Sequence, residues 1–289
     1  MRLGADGLLG PRQLAALRKT ALGTRSRNVS QPGAAGGFGL TLSLVPWLDG
    51  LLGSPASAGE LRELLAIQAL AFAWLQSVDD VVDGQQQAGA VDAARTLALA
   101  EARLAALFPR RAPFWTAWRR LMAAQRASWR WEEASRESPL LRFDRALLVR
   151  LRDKAALLRW PAWALAELSG RPGRARLLDA ASARVITAAI LLDDLGDFEE
   201  DYDRRQVNAV LCAGRVSSRD DLLFFPAAAR GAFGVCAAAI AELEPIRRAF
   251  PGTRFANACG QLQERFRGLG PATLARCQAR TMATVLGSL

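Results

Sequence analysis

The chain has 289 residues, of which 51% are hydrophobic, and this is enough apolar material for a sizeable buried core. It contains no histidine, which excludes a Ser-His-Asp triad, a histidine-ligated zinc site and an imidazole general base. The net charge is +10, but the sequence has no zinc-finger or RNA-recognition signature, and no apolar run reaches the ~18 residues of a membrane-spanning helix. We therefore expect a cytoplasmic protein with no nucleic-acid partner and no transmembrane segment.

The beginning of the chain differs in composition from the rest. Its first 38 residues hold six basic residues against one acidic residue, and they end in a run rich in glycine, serine and asparagine. Runs of this kind interrupt regular structure. We predict a flexible basic N-terminal segment over residues 1–38.

Residues 39–289 carry the signals of an all-α domain. Long stretches rich in alanine, leucine, arginine and glutamate, which are strong helix formers, alternate with proline and glycine breaks. The breaks divide the chain into roughly eight to ten helices. The four cysteines are widely spaced, which is typical of buried or free thiols and not of a disulfide framework.

A first cluster of aspartates ends a long apolar helical pattern. Leucine and phenylalanine recur at helical spacing, and the segment finishes with Asp79, Asp80 and Asp83. Residues four apart share a helix face, so Asp79 and Asp83 project together. Phe72 and Gln76 continue this face toward the N-terminus.

A second cluster of aspartates ends another apolar helix, within residues 175–205. Asp193, Asp197 and Asp201 follow one another at four-residue spacing and form a single ridge. Four further residues belong to the same region: Asp194 beside the ridge, and the apolar Ile186, Ala189 and Ile190 before it. The same arrangement, an apolar helix followed by aspartates, therefore occurs twice in the chain.

Both clusters are electrostatically unfavourable without a cation. Carboxylates at the C-terminal end of a helix meet the negative end of its dipole, and like charges four residues apart repel. Oxygen ligands without nitrogen or thiolate are typical of Mg²⁺, Mn²⁺ or Ca²⁺, and Mg²⁺ takes further oxygens from phosphate groups. We predict a shared Mg²⁺–diphosphate site, with a solvated helix end as the alternative for either cluster alone.

The motifs DDVVD at residues 79–83 and DDLGDFEED at residues 193–201 resemble the two facing aspartate motifs of the class I isoprenoid synthases. The resemblance extends over roughly residues 40–285. It implies a single-domain all-α helical bundle around a central apolar cavity, as a monomer or homodimer. It also implies three Mg²⁺ ions, or Mn²⁺ in their place, on the diphosphate of a prenyl diphosphate substrate.

Specific residues follow from this resemblance. The implied metal ligands are Asp79, Asp80, Asp83, Asp193, Asp194, Asp197 and Asp201, of which Asp79, Asp83, Asp193 and Asp197 are the implied catalytic residues. The implied diphosphate contacts are Lys154, Arg150, Arg204 and Arg205. Lys154 takes the position of a diphosphate-binding lysine in prenyl synthases, although alanine follows it where threonine is usual. A solvated helix charge is the alternative for Lys154, and a helix cap is the alternative for the two arginines after the second cluster.

The implied activity is that of a class I terpene synthase, a cyclase acting on farnesyl or geranylgeranyl diphosphate. Loss of diphosphate leaves an allylic carbocation, which needs a dry cavity and is stabilised by aromatic faces. The cavity would be lined by Phe72, Gln76, Ile186, Ala189 and Ile190. Further aromatic candidates for its wall are Trp74, Trp160, Trp163 and Phe198.

Other functions stay open. A prenyltransferase of the trans-prenyl diphosphate synthase or squalene/phytoene synthase type also carries two aspartate clusters, but residues 36–61 lack the lysine and arginine expected of chain elongation. A non-catalytic isoprenoid-binding helical protein would keep the fold without needing a metal. A binder of nucleic acid or of membrane surfaces, driven by the net charge, would show strong salt dependence.

Overall fold

The structure is a computed structural model that describes residues 32–82, 89–139, 141–216 and 221–287. Within these ranges the chain forms ten α-helices and two short 3₁₀ turns, with no β-strand among them. The predicted all-α fold class is confirmed, and the number of described helices agrees with the predicted eight to ten.

The helices are labelled in chain order. Their bounds are α1 Pro32–Leu51, α2 Ala58–Val82, α3 Gly89–Leu107, α4 Phe114–Ser135, α5 Arg145–Asp153, α6 Trp160–Leu168, α7 Ala175–Asp203, α8 Ala209–Gly214, α9 Asp221–Ala249 and α10 Arg254–Gly287. The 3₁₀ turn Ala156–Arg159 joins α5 to α6, and the turn Pro172–Arg174 joins α6 to α7.

The first described helix already belongs to the domain. Leu42, Leu44 and Leu48 of α1 are fully buried in the common core, because the apolar residues of this helix face α7 and α2. The predicted boundary after residue 38 therefore falls inside α1. Residues 1–31, which make up most of the predicted basic segment, lie outside the described residues.

A capping box fixes the start of α2. The backbone N–H of Glu60 donates to the Ser57 hydroxyl (3.2 Å), and the backbone N–H of Ser57 donates to the Glu60 carboxylate (2.7 Å). These bonds satisfy amide groups that a first helical turn leaves without partners. Further along α2, the buried Gln68 donates its side-chain amide to the carbonyl oxygens of Thr41 (3.2 Å) and Leu158 (3.1 Å). One amide thus ties α2 to α1 and to the turn before α6.

Helix α7 runs through the middle of the bundle and ends in a defined cap. It packs against α1, α6 and α9. After its last residue, the N–H of Gln206 donates to the Asp201 carbonyl oxygen (2.8 Å) and the N–H of Arg205 donates to that of Tyr202 (3.2 Å). Arg205 has a φ of 55°, in the left-handed region. This is the Schellman arrangement, and it turns the chain away from the aspartate ridge.

One described helix is long and apolar enough to cross a membrane by length and composition, the segment Leu223–Ala249 of α9. Half of this segment is buried inside the protein, and it packs along α10. Buried core helices can be equally long and apolar, so length and composition alone do not identify a membrane-spanning segment.

The cysteines are buried, free thiols, as their spacing predicts. Burial raises the pKa of Cys212 and of Cys236 to about 11 and that of Cys259 to about 12. These thiols are protonated at neutral pH and are poor nucleophiles.

Helices α8 and α9 approach each other through glycine. A Cβ added at Gly231 of α9 would overlap the carbonyl oxygen of Val210 and lie 2.8 Å from the Gly214 nitrogen. A methyl group has no room there. This contact holds α8, which follows the second aspartate cluster, in place behind α7.

Replacing Gly231 with alanine should lower the free energy of unfolding by roughly 2–4 kcal/mol, because the backbone of α8 or α9 must shift to admit the methyl group. The matched control is Gly268→Ala in α10, where an added Cβ meets nothing within 4 Å. We expect the control to be neutral or stabilised by up to ~1 kcal/mol. Urea unfolding compares the two variants, and equal stabilities would contradict the close approach.

Candidate functional site

A cavity of about 290 Å³ lies inside the bundle. Its walls come from α1, α2, α7 and the stretch between α5 and α6. The lining residues are Thr41, Phe72, Leu75, Gln76, Asp79, Lys154, Ala155, Leu158, Ile186, Ala189, Ile190, Asp193, Asp194 and Asp197. They include all five residues named from the sequence as cavity residues.

The cavity is apolar at one end and acidic at the other. On α2 its wall runs from Phe72 to Asp79, and on α7 it runs from Ile186 to Asp193 and Asp197. Both helices therefore pass from the apolar end to the acidic end in the same chain direction. The structure brings members of the two sequence-distant clusters to one rim, called here the acidic rim (Asp79, Asp193 and Asp197).

The first cluster is represented at the acidic rim by Asp79. The side chain of Asp80 and the whole of Asp83 lie outside the described residues. The indole N–H of Trp129 donates to Oδ1 of Asp79 (3.1 Å), and this bond orients the carboxylate. Trp129 is itself held edge-on against Trp74, with ring centroids 5.2 Å apart.

Burial and repulsion raise the pKa values of the second cluster at the rim. Asp193 contacts solvent within the cavity, yet the surrounding protein withdraws enough water to raise its pKa to about 6, and Asp197 adds to the effect. Burial and the charge of Glu200 raise the pKa of Asp197, while Arg204 partly opposes them. The rim thus carries negative charge that its surroundings do not fully neutralise.

The remaining two aspartates of the ridge hold the start of α8. Asp194 reaches the cavity wall, but its Oδ2 accepts the backbone N–H of Ala209 (2.7 Å), and burial raises its pKa well above the ordinary value. Asp201 does not line the cavity, and it accepts the side-chain amide of Asn208 (2.8 Å). Burial raises the pKa of Asp201 to about 6. Asn208 in turn caps α8 through its side-chain oxygen. Direct metal ligation by Asp194 and Asp201 stays a prediction.

Lys154 forms a largely buried ion pair with Glu132, with 2.6 Å between Nζ and Oε1. Burial alone would lower the pKa of Lys154, but the charges of Glu132, Asp194 and Asp201 outweigh it and raise that pKa. Lys154 therefore supplies a fixed positive charge behind the second cluster. The contact present in the structure is with Glu132, so a contact with diphosphate stays a prediction.

Helix α4 forms a polar support behind the cavity that was not predicted from the sequence. Gln125 donates its amide to the Lys154 carbonyl oxygen and accepts the N–H of Leu157 (3.4 Å). Gln125, Trp129 and Glu132 lie four and three residues apart, on one face of the helix. That spacing was a usable signal, because the same face is apolar earlier in α4 and becomes polar in its second half.

The three arginines named as diphosphate contacts are placed differently from one another. Arg204 pairs with Glu200 and acts electrostatically on Asp197, so it lies near the acidic rim. Arg150 is exposed and lies over the ring of Trp131, 6.0 Å from its centroid, and Arg205 lines a separate surface depression. Neither Arg150 nor Arg205 lines the cavity. Arg205 occupies the terminal turn of α7, which directs the chain away from the ridge.

Of the five aromatic candidates for the cavity wall, one, Phe72, lines it. The others pack elsewhere: Trp74 on Trp129, Trp160 on Phe114 and Trp118, Phe198 on Phe224, and Trp163 under the guanidinium of Arg120. Trp74, Trp160 and Phe198 are buried core residues, and Trp163 is partly buried and packs against the core.

The acidic rim fits an oxygen-liganded divalent cation. The ligands it offers are the carboxylates of Asp79, Asp193 and Asp197, a donor set that suits Mg²⁺ or Mn²⁺. Among the side chains that the structure describes, no group of three or more acidic or cysteine residues is close enough to hold a metal by itself. Mg²⁺ is ordinarily bound by one or two carboxylates, with waters and substrate phosphates completing its shell, so a rim of this kind needs the phosphate to complete it.

Comparisons with protein-family models, with curated protein sequences and with solved structures find no match.

Replacing Asp193 with asparagine should stabilise the metal-free protein at neutral pH. The folded-state pKa of about 6 lies above the ordinary value of 3.8, so the folded state gains protons first and its stability rises as pH falls from ~6 to ~4. A shift of about two pKa units corresponds to roughly 3 kcal/mol, which solvent in the cavity screens to about 1 kcal/mol. Thermal melting in EDTA should show the advantage of the variant near pH 7 and its loss near pH 4. An advantage that does not change with pH would contradict the assignment.

Replacing Lys154 with methionine should lower the free energy of unfolding by about 3 kcal/mol, because Glu132 is left as a buried charge without its partner. The double variant Lys154→Met, Glu132→Gln should recover more than half of this loss. Urea unfolding of both single variants and the double variant measures the coupling. Unchanged stability of Lys154→Met would instead point to a lysine held free for a ligand.

Proposed function

We propose that the protein is a Mg²⁺-dependent class I isoprenoid synthase of the terpene-cyclase type, which ionises a linear prenyl diphosphate and cyclises the resulting carbocation. The observation that carries the proposal is the acidic rim, formed by Asp79 of α2 and Asp193 and Asp197 of α7 at one end of a cavity whose other wall residues are mostly apolar. An amphiphile with one anionic end and one apolar chain is complementary to this division once cations bridge the two sets of negative charge.

The residues of the rim would bind and orient the diphosphate end of the substrate. Mg²⁺ bound between the carboxylates and the diphosphate would neutralise the charge that develops on the departing group. Trp129 keeps the Asp79 carboxylate turned toward the rim through its hydrogen bond of 3.1 Å. Arg204, near Asp197, adds positive charge where the diphosphate would leave.

The apolar end would hold the prenyl chain and exclude water from the cation. Phe72, Leu75, Leu158, Ile186 and Ile190 line this end, and none of them offers a nucleophile or a base. A carbocation held there would meet hydrocarbon and one aromatic face, Phe72, which can stabilise positive charge. The polar wall residues outside the acidic rim include a hydroxyl, Thr41, and an amide, Gln76. Exclusion of water favours rearrangement within the chain over quenching to an alcohol.

The volume of the cavity supports the shorter of the two substrates considered. At about 290 Å³ it lies at the lower limit of ligand pockets, which span ~300–1,000 Å³. Farnesyl diphosphate is therefore a better candidate than geranylgeranyl diphosphate.

A prenyltransferase is the second candidate. The residues Asp193, Asp194 and Asp197 read as a second DDxxD, with aspartate where the cyclase motif has serine, and this favours a relative that condenses two prenyl diphosphates. The two candidates differ in one requirement, a second substrate, so a single assay separates them.

The test is release of pyrophosphate from geranyl, farnesyl or geranylgeranyl diphosphate, each offered alone, with Mg²⁺ or with EDTA. We expect release from farnesyl diphosphate with Mg²⁺ only, and a hydrocarbon or alcohol as product. Asp79→Asn and Asp193→Asn should each lower the rate by at least ~100-fold, since each removes charge that positions the metal. Asp203→Asn, an exposed residue at the end of the same α7, is the matched control and should change the rate less than about twofold.

Three outcomes would change the assignment. Release that requires a second prenyl diphosphate would move it to the prenyltransferase. Metal-independent binding of an uncharged isoprenol, unaltered in Asp79→Asn and Asp193→Asn, would favour a non-catalytic binder. Equal losses in Asp203→Asn and Asp193→Asn would show that the rim carboxylates have no special role.

A further inference from the structure

Exposed apolar side chains are concentrated on the last two helices. Of the eight large apolar side chains that the described part of the chain leaves exposed, five lie on α9 and α10. They are Leu223, Phe233, Met282, Val285 and Leu286, called here the α9–α10 surface. Single exposed apolar residues need no explanation, but a contiguous group marks an interaction site.

A groove between the two helices makes this surface continuous. It has a volume of about 610 Å³, and its lining is almost entirely apolar. Phe233 forms one end, where its ring lies against Gly270 at 3.1 Å from the position of an added Cβ. Met282 lines the groove on the α10 side, and Val285 and Leu286 extend the apolar face by another turn. The groove opens to solvent, since 58% of Met282 and 65% of Leu286 are exposed.

Helix α10, which carries three of the five side chains of this surface, is strongly basic. Between residues 254 and 287 the sequence has five arginines and one glutamate, a net charge of +4 on α10. Arg230 of α9 also lines the groove and is exposed. Arg230 is the arginine that borders the groove, and the net charge of α10 adds a positive potential along the same side. An apolar face with this positive surround is complementary to a surface that is apolar inside and negative at its boundary.

The α9–α10 surface lies at the same end of the bundle as the acidic rim. The guanidinium of Arg276 donates to the Leu195 carbonyl oxygen (3.0 Å), and that of Arg280 lies 3.6 Å from the Glu199 carboxylate. Leu195 and Glu199 belong to the stretch of α7 that carries Asp193 and Asp197. One flank of α10 therefore contacts the helix of the rim, while the next flank carries the apolar groove.

We propose that the α9–α10 surface docks the protein onto an anionic lipid bilayer, with its apolar side chains in the interface, Arg230 at the headgroups and the net positive charge of α10 adding to the attraction. Three partners could cover this surface: a bilayer, a second copy of the chain or the N-terminal segment. Their charges distinguish them. A second copy packed face to face would bring together two α10 helices with a charge of +4 each, which repel each other. The N-terminal 31 residues are also positively charged, with six basic residues against one acidic residue, so α10 repels them too. A bilayer that contains anionic lipid attracts both the arginines and the apolar face. This docking does not depend on the proposed enzymatic function.

The experiment is flotation of the full-length protein with vesicles of phosphatidylcholine alone or with about 30% phosphatidylglycerol. We expect binding to the anionic vesicles and at least about tenfold weaker binding when salt rises from ~0.1 M to ~0.5 M. The double variant Met282→Glu, Leu286→Glu should reduce binding by at least about tenfold. The matched control is Leu99→Glu, Leu177→Glu, which adds the same charge at exposed apolar positions outside the α9–α10 surface and should change binding less than about threefold.

The flotation result either supports docking onto anionic lipid or overturns it. All four substituted side chains are at least 43% exposed, and unchanged melting temperatures will show that the variants fold. Absence of binding to anionic vesicles, or equal losses in the two double variants, would overturn the proposal. Salt-insensitive self-association in ultracentrifugation that Met282→Glu, Leu286→Glu abolishes would overturn it too, and would assign the surface to a second copy of the chain.

Discussion

Helix α7 carries four aspartates within the nine residues 193–201. Packing them inside a protein is costly, because carboxylates that are withdrawn from bulk water lose hydration and repel each other. The structure divides this charge in two. Asp194 and Asp201 bond to Ala209 and Asn208 at the start of α8, although Asp194 also reaches the cavity wall, whereas Asp193 and Asp197 line the cavity without such a bond to α8. The first pair is satisfied by the protein itself. The second pair is left for something positive that enters the cavity, and this is the basis of the proposed metal–diphosphate site.

The support behind the cavity follows from the same electrostatics. Lys154 places a positive charge behind the second cluster, and Glu132 of α4 fixes its ammonium at 2.6 Å. Gln125 holds the backbone between α5 and α6 from the same face of α4, and Trp129 orients Asp79. Helix α4 supplies no residue to the cavity wall, yet it acts on both clusters. A change in α4 is thus expected to alter the acidic rim without touching a ligand.

The sequence predicted the helical class, the two aspartate clusters and their convergence, because apolar periodicity and the spacing of carboxylates are local properties. It did not predict which carboxylates the protein uses for itself, since the bond between Asp194 and Ala209 depends on where α8 begins. Arg150 and Arg205 were assigned by position relative to the motifs, but Arg205 closes α7 in a left-handed turn, which the residue type does not favour. The role of Trp129 depends on a contact across 50 positions of the chain, beyond any helical spacing.

The most direct measurement is the anomalous scattering of crystals soaked with Mn²⁺ and inorganic pyrophosphate, which requires no knowledge of the prenyl chain. We predict Mn²⁺ peaks about 2.2 Å from carboxylate oxygens of Asp79 and of Asp193 or Asp197, with pyrophosphate between the two walls. The peaks should disappear in Asp193→Asn crystals soaked in the same way. Mn²⁺ bound only outside the cavity, or pyrophosphate bound only to surface arginines, would contradict a shared site at the acidic rim.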